Sequence, residues 1–328
     1  MGLDEFDRIK KYFKPLASLE RGSLDLLDDA AVLPLGSDSE LAISTDALVE
    51  GIHYVGDENA SLIAQKSLRT NLSDMAAMGA TPWAYTLSLI LGPQKKWSAD
   101  QWLDSFVAGL EIDQNEYDVR LIGGDSVVGV GPTVISITII GKLNNKGSLV
   151  RSGALQHDDI YVSGTIGDSA AGLQVIKGSL DFLDPSDQMY LKNRYYLPQP
   201  RVVLGLALVG LASAAMDVSD GLIQDMGHLC SASGLAAVIN WPNIPLSRPV
   251  ITLLENKIIS ISGIINGGDD YELLFTAPSI LRTDIEELSK KIEVPLTRIG
   301  YMIEGTDVLL MDKKNQLILS TGTGFKHA

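Results

Sequence analysis

Cysteine is nearly absent: Cys230 is the one cysteine in 328 residues. No disulfide can form within the chain, which fits a reducing compartment, and no C-x-x-C zinc or redox motif is possible. Basic residues are also scarce, 26 Lys and Arg against 41 Asp and Glu, for a formal net charge of −15. That balance argues against nonspecific nucleic-acid binding, which depends on a basic surface. The longest apolar run, Leu204 to Met216, is too short to span a bilayer. The N-terminal stretch MGLDEFDRIKKYF is charged and lacks an apolar core, so it does not read as a signal peptide. Phe6, Ile9 and Phe13 within it suit one face of a short helix. Together these absences predict a soluble, cytoplasmic protein with neither a nucleic-acid nor a membrane partner.

Several catalytic signatures are missing as well. There is no G-x-x-x-x-G-K-[ST] phosphate loop, no H-E-x-x-H zinc helix, no G-x-S-x-G elbow and no H-R-D or D-F-G kinase pair. What the chain does have is aspartate at spaced points where short loops should meet strand or helix ends. These are Asp28-Asp29, Asp46, Asp74, Asp125 and the pair Asp217/Asp220. Clustered carboxylates suit hard cations, and Mg²⁺ commonly binds through one or two carboxylates plus substrate phosphates. Taken singly, each position also fits a turn or a helix cap. Asp74 resists that reading, because it lies among Leu72, Met75, Ala76, Ala77 and Met78, where a buried carboxylate needs a partner. Gly123-Gly124 before Asp125 permits close backbone approach to a ligand. Ser219 stands between Asp217 and Asp220, and a helix starting at Asp220 would suit a metal and a phosphate together. Arg151 offers a guanidinium suited to phosphate. His53 is a lone histidine near these segments. The first reading is an enzyme that handles a phosphate-rich substrate through metal ions.

Hydrophobic residues make up 45% and charged residues 20%, the balance of a globular chain, and the length suggests two domains or one large one. Strands are expected at 41–46, 84–91, 134–140, 159–163, 272–277, 297–301 and 308–311. Helices are expected at 60–78, stopped by Gly79, and at 98–117, with Ser98 as N-cap. Further helices are expected over 168–177, within 198–214 from about Pro200, and over 221–233. Leu121-Ile122 reads as a strand end leading into Gly123-Gly124-Asp125, and 243–249 as a proline-rich loop. The turn Asn144-Asn145-Lys146-Gly147 is the best boundary between two α/β halves, 1–146 and 147–328.

Taken in order, seven stretches resemble one family, thiamine-monophosphate kinase. They are LAISTDALVEGIH (41–53), NLSDMAAMGATP (71–82), LIGGDS (121–126), VRSGA (150–154), YVSGTIGDSAAGL (161–173), MDVSDGL (216–222) and GGDDYELLFT (267–276). The resemblance implies transfer of the ATP γ-phosphoryl to thiamine monophosphate, giving thiamine diphosphate and ADP. It implies a two-domain α/β (α+β) fold. In that fold an N-terminal sheet-plus-helices domain forms a barrel shared across a homodimer, and a C-terminal α/β sandwich completes the site. Matched residue by residue, Asp29, Ser44, Thr45, Asp46, Asp74, Asp125, Asp217 and Asp220 fall on Mg²⁺-binding positions. Gly124, Asp125, Arg151 and Ser219 fall on ATP-binding positions. His53, Asp269 and Phe325 fall on substrate positions, and Asp46, Asp125 and Arg151 would carry the catalysis. Two positions depart from the family pattern: Leu27 stands where glycine is usual before the first aspartate pair, and Asp269 where glutamate is usual. Rivals within the wider ATP-dependent superfamily are selenophosphate synthetase and a hydrogenase-maturation enzyme. The first would carry an N-terminal catalytic Cys or selenocysteine and the second a C-terminal cysteine, whereas Cys230 falls in an expected helix and the chain ends GFKHA. A noncatalytic acidic cation-binding protein is the rival from another class, and no EF-hand loop supports it.

Overall fold

The computed structural model describes residues 24, 27–34, 40–94, 96–145 and 147–320. The expected helix around Phe6 to Phe13, and Phe325, lie outside the described residues. The first half runs β1 (Ala31–Pro34), β2 (Glu40–Val49), α1 (Ala60–Ala77), β3 (Thr81–Leu91), α2 (Ala99–Glu116), β4 (Arg120–Val128) and β5 (Val134–Leu143). Its strands form one sheet in the order β1-β2-β5-β3-β4. Pairing is antiparallel except between β3 and β4. Those two are joined through α2, the crossover that parallel neighbours require.

The second half continues β6 (Asp159–Ser163), α3 (Asp168–Ile176), α4 (Pro185–Tyr196), α5 (Val202–Leu208), β7 (Ala214–Asp217), α6 (Leu222–Ser233) and β8 (Ala236–Asn240). Then come α7 (Arg248–Glu255), α8 (Ile261–Ile265), β9 (Leu273–Ala277), α9 (Arg282–Ile292), β10 (Leu296–Ile303), β11 (Val308–Met311) and β12 (Leu317–Ser320). The second sheet has the order β12-β11-β8-β10-β6-β9-β7, with β8 and β11 its one parallel pair among the described residues.

α1 joins the halves. Ile63, Leu68, Leu72 and Met75 pack into a core with Trp102, Phe106 and Leu110 of α2 and Ile135, Ile137 and Ile139 of β5. Leu68 and Leu72 are fully buried, and each contributes roughly 2 kcal/mol of apolar transfer. Ala76 and Ala77, from the end of α1, pack instead with Leu204 and Leu208 of α5. Gly205 makes that contact possible, because a Cβ there would sit 2.0 Å from the Ala76 carbonyl oxygen. With neighbours all round, α1 also buries Lys66, Arg69, Asn71 and Ser73. Each of these needs a partner inside the protein. Arg69 has a bidentate one, its Nε and Nη2 donating to Asp113 of α2 at 2.9 and 2.8 Å.

The helix expected within 198–214 is α5, and past Leu208 the apolar run continues into β7. Continuous apolarity cannot by itself distinguish a buried helix from a buried strand. The 243–249 loop is cut short because Ser247 caps α7, accepting from Val250 N–H at 3.4 Å, with Pro249 in the first turn, where its missing N–H is harmless. Gly123-Gly124-Asp125 does not follow a strand but lies inside β4, paired with Thr86, Leu87 and Ser88 of β3. No described helix is long and apolar enough to cross a membrane.

Candidate active site

Two elements of the first half deliver acids to one place. Along β2 the even positions face inward, as Ala42 and Leu48 show by their burial. Ser44 shares that face, and its Oγ donates to Asp74 Oδ2 of α1 at 2.5 Å. Asp46 has the same parity, and its charge falls on both Asp74 and Asp217. On α1, Ser73 Oγ donates to Asp217 Oδ2 at 2.6 Å, tying the helix to the end of β7. Asp29, ahead of β1, receives Arg151 Nη2 at 2.5 Å and Nε at 3.3 Å. Asp28 accepts from the Arg151 backbone N–H at 2.6 Å.

The result is a group of three carboxylates, Asp29, Asp74 and Asp217, each offering an oxygen within 4.8 Å of the others. Burial pushes the Asp74 carboxyl well above its usual range, reinforced by Asp46, Asp217 and Asp29, while the Ser44 hydroxyl opposes the shift. Burial and then Asp29 push Asp217 up to about 8, against the Ser73 hydrogen bond and Arg151. Burial would lower the Arg151 guanidinium, yet Asp29 holds it above its ordinary value, so it stays charged beside the acids. Arg151 is therefore no surface arginine. One guanidinium cannot neutralise this many buried carboxylates. An all-oxygen, hard donor set of this kind fits Mg²⁺.

Other expected residues lie elsewhere. Thr45 points to the opposite face of β2, its hydroxyl paired with that of Thr138 across the sheet. Asp125 sits on the exposed edge strand β4, with Oδ1 accepting from the adjacent Ser126 N–H at 2.9 Å, outside the group of three. Gly124 before it has φ +152°, and a Cβ there would meet the Leu87 carbonyl oxygen at 1.9 Å. Asp220 precedes α6 by two residues rather than beginning it. It belongs to a second close group with Asp225 and His228. Asp225 accepts from the N–H groups of Asp220 and Gly221, both at 3.1 Å, and so fixes the loop that carries Ser219. Ser219 itself contributes its carbonyl, which accepts from Asp269 N–H at 2.7 Å.

On the substrate positions, His53 Nδ1 accepts from Val49 N–H at 2.9 Å, and its carbonyl accepts from Tyr195 Oη at 3.1 Å. Asp269 has φ +62° and Tyr271 +50°, a left-handed geometry that non-glycine residues adopt at a cost. Asp269 Oδ2 accepts from Lys66 Nζ at 2.8 Å. Sequence reasoning missed Lys66, Ser73, Tyr195 and Asp225. The one signal available was that a helix with alanine and leucine on several sides leaves Lys66 no wet face. Glu272 closes the acidic loop, fully buried between Arg194 and Arg201.

Family models agree with this architecture. AIR synthase related protein, N-terminal domain, matches residues 27–143, and its C-terminal counterpart matches 156–313. The thiamine-monophosphate kinase of Escherichia coli K12 is 38% identical over 328 residues, covering 100% of this chain and 99% of the relative. The crystal structure of thiamine-monophosphate kinase from Stenotrophomonas maltophilia is 37% identical with a TM-score of 0.77, over 94% of this chain and 97% of that one. AaThiL complexed with AMPPCP and TMP superimposes with a TM-score of 0.84 at 27% identity, over 100% and 99%. The chain belongs to the thiamine-monophosphate kinase family of AIR synthase related proteins.

Proposed function

We propose that this chain is an ATP-dependent thiamine-phosphate kinase that converts thiamine monophosphate to thiamine diphosphate by direct in-line transfer, with several Mg²⁺ ions. The observation that carries the reading is the Asp29, Asp74 and Asp217 group, with Arg151 beside it. Kinase relatives over the full length, and one relative in complex with AMPPCP and TMP, support ATP and a monophosphate acceptor as the substrates. Acceptor and donor are both anions, so repulsion between them is the main obstacle. Phosphoryl transfer asks the protein mostly for positioning and charge stabilisation. Asp29, Asp74 and Asp217, with Asp46 and Ser44, would hold Mg²⁺, and the ions supply charge neutralisation between the phosphates. Thr45, Asp125 and Asp220 complete the proposed metal set, and Gly124, Asp125, Arg151 and Ser219 the ATP contacts. Arg151 would exchange part of its hold on Asp29 for ATP phosphate. His53, Asp269 and Phe325 take the thiamine side. A phosphate oxygen is already an adequate nucleophile at neutral pH, so no strong general base is required.

Residues 1–146 would form the ATP, Mg²⁺ and dimerisation domain, and 147–328 the domain that completes the site. The edge strand β4 supports a homodimer. Leu121, Ile122, Val127 and Val128 are exposed along it, Val128 to 87%. An unpaired apolar edge invites pairing with a second sheet. Light scattering should give twice the chain mass, and Ile122→Lys with Val128→Lys should shift the species toward monomer. A wild-type monomer at micromolar concentration would refute the dimer.

The decisive assay mixes protein, ATP, Mg²⁺ and thiamine monophosphate and separates products by chromatography. Thiamine diphosphate formed one-for-one with ADP supports the kinase. ADP without thiamine diphosphate assigns another acceptor, and no ADP at all refutes the activity.

A further inference from the structure

A lysine whose side chain is 3% exposed in the middle of α1 demands an account, because a buried ammonium is costly unless it is paired. Lys66 Nζ has two partners. One is Asp269 Oδ2 at 2.8 Å, and the other is the Tyr195 ring, with Nζ 3.5 Å from its centroid. Tyr195, on α4, in turn donates its hydroxyl to the His53 carbonyl at 3.1 Å. Lys66 and Tyr195 therefore connect His53, in the turn after β2, to Asp269, in the acidic loop before β9. Those segments come from different halves of the chain and carry the two described residues assigned to the thiamine side.

The geometry also places this link relative to the acids. Lys66 and Ser73 are seven residues apart on α1, so they share one stripe about 10 Å apart along the axis. Ser73 ends on Asp217 and Lys66 ends on Asp269. The segments that carry those two acids are tied together by backbone bonds from Asp269 N–H to the Ser219 carbonyl and from Tyr271 N–H to the Val218 carbonyl. One helix thus sets the separation between the metal-binding carboxylates and the acceptor loop. Asp269 is shorter than the glutamate usual at this position, so its carboxylate depends on a fixed cation to define its direction. A buried cation held over an aromatic face is a rigid anchor of that kind.

We propose that Lys66 and Tyr195 are positioning residues for the acceptor. They act through Asp269 and His53 to orient thiamine monophosphate and leave ATP binding untouched. The inference rests on the reading of thiamine monophosphate as acceptor. The test is steady-state kinetics of Lys66→Met and Tyr195→Phe with each substrate varied in turn, and with folding checked by circular dichroism. Lys66→Met should raise KM for thiamine monophosphate about tenfold while KM for ATP stays within about twofold. Tyr195→Phe keeps the ring beneath Nζ and removes the bond to His53, and should raise the same KM about threefold. Unchanged acceptor KM in Lys66→Met, or an equal rise in both KM values, overturns the proposal and leaves the pair a structural tie. If Lys66→Met does not fold, Tyr195→Phe decides by the same criterion. Wild-type protein that forms no thiamine diphosphate would sink the acceptor reading and the inference with it, whereas an active wild type with indifferent variants sinks the inference alone.

Discussion

Asp74→Asn is expected to remove about 99.9% of turnover while making the metal-free protein more stable. The two effects have one cause. Asp217 is buried and Asp74 partly so, with Asp29 within 4.8 Å and Asp46 close enough to act on both, so the site concentrates like charge. Asparagine keeps an oxygen to accept from Ser44 and removes one charge. It weakens the metal's hold and relieves repulsion in the empty site. A ground state that is destabilised without its ligand is what a functional carboxylate cluster should show; a purely structural cluster would lose stability when broken.

The pH dependence follows from the same shifts. A carboxylate raised in the folded state contributes stability that is fully present below its unfolded value near 4 and is lost as pH rises through its folded value. For Asp217 the window runs from about pH 4 to about 8. In EDTA, the Tm of Asp217→Asn should therefore gain on wild type across that window. The gain should be about 1.5 °C at pH 8 for each kcal/mol of repulsion relieved. Saturating Mg²⁺ should raise the wild-type Tm, more so at high pH, and do little for Asp74→Asn. Near-wild-type turnover in Asp74→Asn, or a Tm unmoved by Mg²⁺ in wild type, would refute the metal-clamp account.

Elements with a local code were readable. Ser98 and Gln101 form a reciprocal capping box, so the start of α2 could be read from side chains alone. α1 ends within a residue of its expected limit, at the bend Gly79 allows with φ +65°. β5 runs past its β-branched core to Leu143 because Gly141 and Lys142 keep their pairing with β2 and β3. The candidate site was readable as a set of acids but not as a geometry. Ser44 to Asp46 lie inside β2 rather than at its end, because Ala47, Leu48 and Val49 continue the ladder to Ser136, Ile135 and Val134. Which of Ser44 and Thr45 faces the acids is decided by strand parity, and that is unknown until the register is. Lys66 was illegible because its partner lies 203 residues away, in a loop whose left-handed turns at Asp269 and Tyr271 no residue type announces.

Glu272→Ala is expected to be the most destabilising single substitution in the second half, costing about 4 kcal/mol and lowering Tm by about 6 °C. Glu272 is fully buried. Its Oε2 accepts from Ser163 Oγ at 2.5 Å and Arg201 Nε at 2.6 Å, and its Oε1 from Arg194 Nη2 at 2.7 Å and Arg201 Nη2 at 2.6 Å. Alanine would strand both guanidinium groups, whose side chains are only 11% and 19% exposed; the one other ion pair that either makes among the described residues is Arg194 Nε with Asp168, at 3.6 Å. Breaking a buried network by removing one partner costs far more than such a network contributes net, because the remaining charge stays desolvated. Ser163 Oγ also accepts from Leu273 N–H at 2.9 Å, so the start of β9 loosens with it. Glu272 lies three residues after Asp269, and the damage should reach function through that loop. The acceptor KM should rise in Glu272→Gln, which keeps the shape and loses the charge, and it should do so with a smaller fall in Tm than Glu272→Ala shows. Differential scanning calorimetry beside substrate-varied kinetics separates the two effects. A Glu272→Ala protein within 1 °C of wild type would mean that the arginines find water or other acids in its place, and that the network does not brace the loop.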